Sequence, residues 1–346
     1  MTANTMKSAK FVGDGKIEWE VKPIPQPGPG QLLLEVKANS ACGSDRGQFY
    51  KGARVAPGHE VMGVVAAAGP GTTTAVGAPG VVFARTFCGE CRWCKLGTTS
   101  QCVSLRGTVG FSLPGGYEQY ILIAEHIFFP VDKDIPPAEA TLLLDVMGTG
   151  SHALGRARLV HRDIRSVLVS GAGPIGLGIL AMAKIILGDE VPVYITDMVP
   201  YRLELARQLK GIPINLKETS LEAELTAKGV KVDAVIDATG KEAARQAGLQ
   251  VLARGGVMVC VGHGEGLQLQ VVEHLINNER TVMGSDYFDF SAMDGLLVQL
   301  KEHYDYLSQI VTHRFPIEDV QRAYTLFFEQ GETGKVIIEW NREVSP

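Results

Sequence analysis

The pattern of apolar and polar positions changes near residue 150. In the first part of the chain the apolar runs are short, and clusters of glycine and proline, such as residues 27–30, separate them. The runs of strand length cover residues 32–36, 61–67, 81–84 and 120–123. Short apolar runs divided by turn residues are typical of β-sheet structure. The pattern therefore predicts a β-rich region over about the first 145 residues.

Beyond that point strand-like runs alternate with helical segments. The predicted strands cover residues 166–169, 191–196, 234–238, 256–261 and 281–284, and the predicted helices cover residues 175–186, 201–209 and 241–252. This alternation is typical of an α/β fold in which helices wrap a parallel sheet. The remaining chain is mixed and ends in a predicted helix, 317–329, and a predicted strand, 335–340.

The expected domains are a β-rich one, made of residues 1–150 and 290–346, and a parallel-sheet one, made of residues 151–289. A chain of 346 residues, 45% of them hydrophobic, is long enough for about two such domains and needs no disulfides for its core. A net charge of −5 argues against a nucleic-acid partner, since phosphate recognition needs a basic surface.

One apolar stretch, residues 166–188, is long enough to span a membrane. Its glycines and proline favour a different structure, a buried strand followed by a tight turn and a core helix. No signal-peptide pattern is evident in the first ten residues. We therefore expect a soluble protein without a membrane partner.

Four of the six cysteines, Cys88, Cys91, Cys94 and Cys102, lie within fifteen residues. In a reducing compartment such a cluster indicates a metal site rather than disulfides, and it favours a cytoplasmic enzyme. Four thiolates saturate a tetrahedral zinc ion, so this site is expected to be structural. The alternatives are free surface thiols, an iron–sulfur cluster and a zinc-ribbon module that reads nucleic acid. A zinc ribbon that binds nucleic acid would need a larger basic patch than the one around these cysteines.

A second motif, G-x-G-x-x-G, joins a predicted strand to a predicted helix. Its glycines, Gly171, Gly173 and Gly176, would provide a tight turn, close approach to a pyrophosphate and tight packing of helix on strand. The helix N-terminus, with Pro174 and Ile175, would bind the phosphates. An ordinary strand-to-helix turn is the alternative.

The next predicted strand ends in Asp197, twenty-one residues after Gly176. A carboxylate there would accept hydrogen bonds from the adenosine ribose and would repel a 2′-phosphate. The sequence thus predicts NAD rather than NADP as the cofactor. Arg202, in the helix that follows, belongs to the same predicted site.

Three dispersed residues suggest a second metal centre. Cys42, His59 and Asp145 are unremarkable one at a time, because a lone cysteine, histidine or aspartate usually serves packing, hydrogen bonding or helix capping. Together they offer one sulfur, one imidazole and one carboxylate. That is the ligand set of an open, catalytic zinc site.

With these features the chain resembles the medium-chain zinc-dependent alcohol dehydrogenase family over essentially its whole length. The matching motifs occur in family order: C-G-S-D at 42–45, G-H-E-x-x-G-x-V at 58–65, the four cysteines, G-G-Y-E-Q-Y at 115–120, the Asp145 segment, the glycine motif and G-E-T-G-K-V at 331–336. The resemblance implies a GroES-like catalytic domain and a Rossmann domain that binds NAD. It also implies a homotetramer, by analogy with bacterial relatives.

The resemblance implies that Cys42, His59 and Asp145 hold the catalytic zinc, and that Glu60 approaches it during ligand exchange. Other members carry Cys or Glu at the position of Asp145. A carboxylate there is similar to the polyol, sugar and secondary-alcohol branch. The implied reaction is hydride transfer from a zinc-bound alkoxide to NAD⁺, giving a ketone or lactone.

Further roles follow from the resemblance alone. Asp45 would orient His59, Ser44 would begin the proton relay, Thr149 would lie near the nicotinamide, and Lys335 would lie near the cofactor phosphates.

The relay departs from the family pattern, because Gly47 stands where many members place a histidine. This departure leaves open an NAD-binding protein of the same fold that has no turnover. Arg46 is either similar to an arginine of the sugar dehydrogenases or an ordinary surface residue.

Overall fold

The computed structural model describes residues 5–340, which form two compact units. Within the described residues, unit 1 consists of 5–144, 289–302 and 311–340, and unit 2 consists of 145–288 and 303–310. The division differs from the expected one at residues 145–150, at residue 289 and at residues 303–310. Residues 145–150 join unit 2 because they begin a helical stretch that packs on the next helix. Residues 303–310 join it through contacts such as the hydrogen bond from the Tyr306 hydroxyl to the Leu209 carbonyl.

Fifteen strands are present in the described residues. They are β1 Thr5–Gly13, β2 Lys16–Pro23, β3 Gln31–Ser40, β4 Glu60–Ala68, β5 Pro79–Val82, β6 Tyr120–Ala124, β7 Phe128–Pro130, β8 Val167–Ser170, β9 Val193–Asp197, β10 Ile212–Asn215, β11 Val232–Asp237, β12 Leu252–Cys260, β13 Thr281–Gly284, β14 Val311–Pro316 and β15 Lys335–Glu339.

Eleven α-helices accompany them in the same part of the chain. They are α1 Arg46–Lys51, α2 Arg92–Lys95, α3 Pro137–Ala140, α4 Gly150–Val160, α5 Pro174–Leu187, α6 Pro200–Gln208, α7 Leu221–Ala227, α8 Glu242–Val251, α9 Met293–Glu302, α10 Tyr304–Leu307 and α11 Val320–Thr325. Short 3₁₀ and π-helical turns connect several of them, among them a 3₁₀ turn at Gly43–Asp45 and a π-helical turn at Asp145–Thr149.

Unit 1 is built around strand β3. A seven-stranded sheet has the order β14-β15-β3-β4-β5-β7, with β6 also paired to β3, and β1 and β2 form a separate hairpin. Strand β3 is central because three strands, β4, β6 and β15, pair with it, all antiparallel. Its apolar residues are fully buried, namely Leu32, Leu34, Val36 and Ala38. The predicted β-rich region is confirmed.

Unit 2 contains a six-stranded parallel sheet of order β10-β9-β8-β11-β12-β13. Numbered within the unit, this order is 3-2-1-4-5-6, the arrangement of Rossmann domains. Residues 166–188 form β8, a turn and α5, as the sequence predicts. None of the helices within residues 5–340 combines the length and the apolar character that a membrane span requires.

Strand β10 and helix α7 are among the elements of unit 2 that are absent from the predicted pattern. Strand β10 is at the sheet edge, carries Pro213 at its centre and buries only Ile214 deeply, so it gives no continuous apolar run. Helix α7 is short, and it buries only Leu221 and Leu225. Its start is nevertheless marked, because the Ser220 side chain caps the N–H of Ala223.

Candidate active site

Four side chains of metal-binding type converge in the described structure. The ligand atoms of Cys42, His59, Glu60 and Asp145 all lie within 4.8 Å of one another. The register of the antiparallel pair β3–β4 aligns Ser40 with Glu60, which brings the residues after β3 next to the start of β4. All four side chains are buried.

A hydrogen bond to β3 positions the segment that precedes Asp145. The hydroxyls of Ser40 and Thr141 lie 2.6 Å apart and both are fully buried. Asp145 follows four residues later, at the start of the π-helical turn. Turns of this kind are frequent at functional sites because they redirect a side chain.

The chemistry of this cluster fits a divalent cation. A thiol, an imidazole and a carboxylate are the donor types that zinc prefers. Ligand atoms within 4.8 Å of one another can all bind one zinc ion with bonds of about 2.0–2.3 Å. A cluster of buried acidic groups is costly unless positive charge compensates it. Cys42, His59 and Asp145 would supply the sulfur, nitrogen and oxygen ligands.

The aspartate predicted to orient His59 lies beside it. Asp45 Oδ1 is 3.2 Å from His59 Nδ1, and Asp45 is completely buried. A histidine protonated at Nδ1 keeps a lone pair on Nε2, which is the form that a metal requires. The Ser44 hydroxyl lies 3.5 Å from His59 Nε2, so it borders the same cluster, and Ser44 is exposed.

Lys335 has a partner that the sequence does not suggest. It is completely buried, with its ammonium on Glu60 Oε1, and its role near the cofactor phosphates stays a prediction. The physical reason is local charge, because a fully buried carboxylate needs a compensating cation. The sequence gives no sign of this pair, since the two residues are 275 positions apart.

Gly47 and Arg46 lie near the cluster, in helix α1. A Cβ atom added at Gly47 would meet no protein atom within 4 Å outside its own helix backbone, so a side chain could begin there without a clash. The guanidinium of Arg46 lies 5.0 Å from the Tyr50 ring centroid and 5.4 Å from that of Phe328. Arg46 is therefore an exposed residue that packs on aromatic rings of unit 1.

Three aromatic residues near the cluster were missed in the sequence. The Phe111 ring centroid lies 5.0 Å from that of His59. The Tyr324 hydroxyl donates to Asp45 Oδ2 at 2.6 Å, and the Tyr117 hydroxyl lies 2.9 Å from that of Tyr324. Only Tyr117 could have been noticed, because it belongs to the G-G-Y-E-Q-Y motif.

The four clustered cysteines form a second group of ligand type, which we call the cysteine lobe (residues 88–102). The sulfur of Cys94 lies 3.8 Å from that of Cys88 and 3.5 Å from that of Cys91, and the Cys88 and Cys102 sulfurs are 3.6 Å apart. Four sulfurs bonded at about 2.3 Å to one tetrahedral ion are about 3.8 Å apart. The observed spacing thus fits a zinc ion enclosed by four sulfurs.

Backbone groups of the lobe favour charged sulfur. The N–H groups of Cys94 and Val103 lower the pKa of Cys91 to about 6, whereas burial raises the pKa of Cys94 to about 12. A bound cation would hold all four as thiolates, because metal binding displaces the protons.

The glycine motif lies in unit 2, between β8 and α5. Gly171 has a φ of +93°, which permits the tight turn. A Cβ atom on Gly176 would lie 1.8 Å from the Gly171 carbonyl oxygen, so helix and turn pack too closely for any side chain. A Cβ atom on Gly173 would meet no protein atom within 4 Å. The three glycines thus have the different surroundings that the motif predicts.

Asp197 ends β9 and holds the glycine turn. Its Oδ2 accepts from the Ala172 N–H at 2.8 Å, and its Oδ1 accepts from the N–H groups of Met198 and Val199. Arg202 Nη1 is 4.0 Å from Oδ2. A carboxylate has about four acceptor positions and three are occupied here, so one position is left for a ribose hydroxyl. Thr149 is buried at the end of the π-helical turn.

Two family models match the chain. The alcohol dehydrogenase GroES-like domain matches residues 28–133, and the zinc-binding dehydrogenase domain matches residues 174–302. L-galactonate-5-dehydrogenase of Escherichia coli (strain K12) is 30% identical over 323 residues, which cover 89% of this chain and 91% of that protein. The chain belongs to the medium-chain zinc-dependent alcohol dehydrogenase family.

Further relatives agree with this assignment. L-threonine 3-dehydrogenase of Deinococcus deserti is 30% identical to this dehydrogenase over 340 residues, 92% of this chain and 94% of that protein. The fold is shared with a protein of E. coli CFT073 that is named a short chain alcohol dehydrogenase and whose structure holds NADH (TM-score 0.87, 24% identity, 97% and 100% of the two chains). The predicted family and the predicted fold are confirmed. The chain is an oxidoreductase whose family uses zinc and a nicotinamide cofactor.

Proposed function

We propose that this dehydrogenase oxidises a secondary alcohol of a small polyol, sugar or related hydroxylated compound to a ketone or lactone, with NAD⁺ as acceptor. The observation that carries the proposal is the buried group of Cys42, His59 and Asp145, with Asp45 behind the imidazole. The relatives named for L-galactonate and L-threonine, both small hydroxylated acids, support this substrate class.

The charges of the site favour these three ligands. Thiolate and carboxylate groups at Cys42 and Asp145 would balance the two charges of zinc, while His59 binds as a neutral imidazole. Glu60 already has a cation, Lys335. When bound, zinc would supply a positive centre that favours loss of the substrate's hydroxyl proton, and NAD⁺ would supply the hydride acceptor.

The chain's own groups would then handle the proton. The Ser44 hydroxyl borders the cluster and is exposed, so it can accept a proton from the substrate hydroxyl and release its own to water. With glycine at position 47, no imidazole is available there for the next step. We infer that the relay in this chain is short and ends in solvent at Ser44.

The test is a panel of polyols, sugar acids and secondary alcohols, read as NADH absorbance. We expect turnover on at least one of them, about two zinc ions per chain, and loss of activity and of one zinc in Cys42→Ala. Cys260→Ala, a change in β12, is the matched control and should keep both zinc ions. An active Cys42→Ala variant would contradict the ligand set.

The cofactor preference needs its own measurement. We infer NAD⁺, because the Asp197 carboxylate at the end of β9 would repel a 2′-phosphate. A higher kcat/KM with NADP⁺ than with NAD⁺ would refute the role of Asp197.

One observation favours a second function. The absence of a side chain at Gly47 also suits an NAD-binding protein without turnover. NADH binding by fluorescence, with no NADH formed from any alcohol of the panel, would establish that alternative.

We also infer a homo-oligomer, with a tetramer as the expected form. Strand β13 is at the edge of the unit 2 sheet, and Val271, Val272 and Ile276, a few residues before it, are more than half exposed. A free strand edge beside apolar side chains is suited to pairing with a second copy. The cytoplasmic location stays a prediction, supported by the lack of any disulfide among the six cysteines, all of which lie in the described residues.

A further inference from the structure

A tyrosine hydroxyl lies behind the aspartate that faces His59. Tyr324, in α11, donates to Asp45 Oδ2 at 2.6 Å, and Asp45 Oδ1 lies 3.2 Å from His59 Nδ1. We propose that Tyr324 is a positioning residue, whose hydroxyl fixes the Asp45 carboxylate so that His59 presents Nε2 to the catalytic zinc. The proposal rests on the proposed function, because it assumes that His59 is a ligand.

The orientation of the carboxylate depends on its hydrogen bonds. The χ2 torsion of an aspartate has broad, shallow minima, so the torsion alone does not hold the group. Asp45 Oδ2 accepts from two donors, the Cys42 N–H at 3.1 Å and the Tyr324 hydroxyl. The hydroxyl bond is the shorter of the two. With Oδ2 fixed in this way, Oδ1 is held 3.2 Å from His59 Nδ1.

The proton order in the network is defined by its chemistry. Tyr324 has one hydroxyl proton, and the carboxylate is a pure acceptor, so the Tyr117 hydroxyl, 2.9 Å away, must donate to the Tyr324 oxygen. Burial, followed by the charge of Asp45, raises the pKa of both tyrosines well above the ordinary value. Both hydroxyls therefore stay protonated, and the chain from Tyr117 through Tyr324 to Asp45 is polarised in one direction.

The tyrosine ring is held independently of its hydroxyl. Its centroid lies 4.9 Å from that of Phe11, edge to face, and 5.4 Å from that of Phe49, stacked. Tyr324→Phe keeps these contacts and removes only the hydroxyl. The variant is therefore expected to fold, and circular dichroism checks that it does.

The experiment measures zinc release from the full-length holoprotein into an excess of a chromophoric chelator. The wild type should show two phases, and Cys42→Ala should lack the one that belongs to the catalytic site. Tyr324→Phe should speed that phase about tenfold, the lower end of the effect of groups that orient ligands. The phase of the cysteine lobe should stay unchanged.

Tyr306→Phe is the matched control, because the Tyr306 hydroxyl also binds a buried acceptor, the Leu209 carbonyl, at 2.8 Å in unit 2. It should change neither phase. In an Asp45→Asn background, Tyr324→Phe should add no further acceleration, since its hydroxyl acts through Asp45. An additive effect would overturn the proposal.

Two other results would also overturn it: an unchanged catalytic phase in Tyr324→Phe, or equal acceleration of both phases, which marks a general loss of stability. A wild type that releases zinc only from the cysteine lobe contradicts the proposed function itself. If the wild type releases zinc in two phases and Tyr324→Phe changes neither rate, only the positioning role is contradicted.

Discussion

Gly173 and Gly176 are three residues apart and have opposite surroundings. A methyl group at Gly176 would collide with the backbone of the turn, whereas one at Gly173 would meet no protein atom. In the dinucleotide motif the second glycine is the one that lets the pyrophosphate approach. Gly176 is therefore expected to serve packing, and Gly173 is expected to serve cofactor binding.

We expect Gly176→Ala to lower the free energy of unfolding by about 1–3 kcal/mol or more, as overpacking does. Gly173→Ala should leave it unchanged but weaken NADH binding by about tenfold or more, equivalent to about 1.4 kcal/mol. Urea unfolding and fluorescence titration measure the two effects. A stable Gly176→Ala variant, or a Gly173→Ala variant with normal affinity, would refute the assignment.

Arg245 and Asp237 form a buried ion pair in unit 2. Arg245 Nε donates to Asp237 Oδ2 at 2.7 Å, and its Nη2 donates to the Gly262 carbonyl at 2.6 Å. Asp237 is fully buried at the end of β11, and its Oδ1 accepts from the N–H and the hydroxyl of Thr239. The pair thus joins the loops that follow β11 and β12.

Arg245→Ala should lower the free energy of unfolding by about 3–5 kcal/mol, because it leaves a buried carboxylate without its cation. Lys241→Ala is the control. The Lys241–Glu265 pair is exposed, so its loss should change the free energy of unfolding little. Chemical denaturation compares the two variants. If both variants had the same free energy of unfolding, burial of the Arg245–Asp237 pair would not explain its contribution to stability.

Individual residues differ in how far the sequence reveals them. Asp45 is recognisable because it lies in a short motif with Cys42, and the structure places it beside His59. Tyr324 cannot be recognised from the sequence, because it lies 279 positions from Asp45, the residue that it contacts. Nothing in the local pattern marks such a partner.

Secondary-structure elements with strong apolar runs are predicted well. Strands β8, β9, β11, β12 and β13 and helices α5, α6 and α8 all correspond to predicted segments. The predicted helix at 317–329 is instead divided into a 3₁₀ turn, α11 and a π-helical turn at Leu326–Gln330. Periodicity does not distinguish such local changes of helical pitch, which packing determines.

The cysteine lobe can be tested as one element. Cys91→Ser should release one zinc ion and lower the thermal midpoint, because a structural zinc contributes its binding energy to folding. Cys260→Ser, in the sheet of unit 2, should retain both ions. Metal analysis and a thermal scan are the measurements. Unchanged zinc content in Cys91→Ser would exclude the four-sulfur site.

For the assembled molecule, the prediction concerns the edge of the unit 2 sheet. Val272→Glu should shift the protein to a smaller species in light scattering, because it adds a charge to an exposed apolar patch beside β13. Leu159→Glu changes an exposed leucine in α4 and should leave the mass unchanged. If the wild type is a monomer, the proposed pairing is wrong.

The division into a β-rich part and a parallel-sheet part follows from periodicity and turn residues, which are local properties of the chain. The glycine motif and the cysteine spacing are local as well, so the amino-acid sequence alone reveals them. The convergence of Cys42, His59 and Asp145 depends on the β3–β4 register and on the Ser40–Thr141 hydrogen bond. The partners of Asp45 and Glu60 come from the far end of the chain, so only tertiary packing, which brings distant segments together, could determine them.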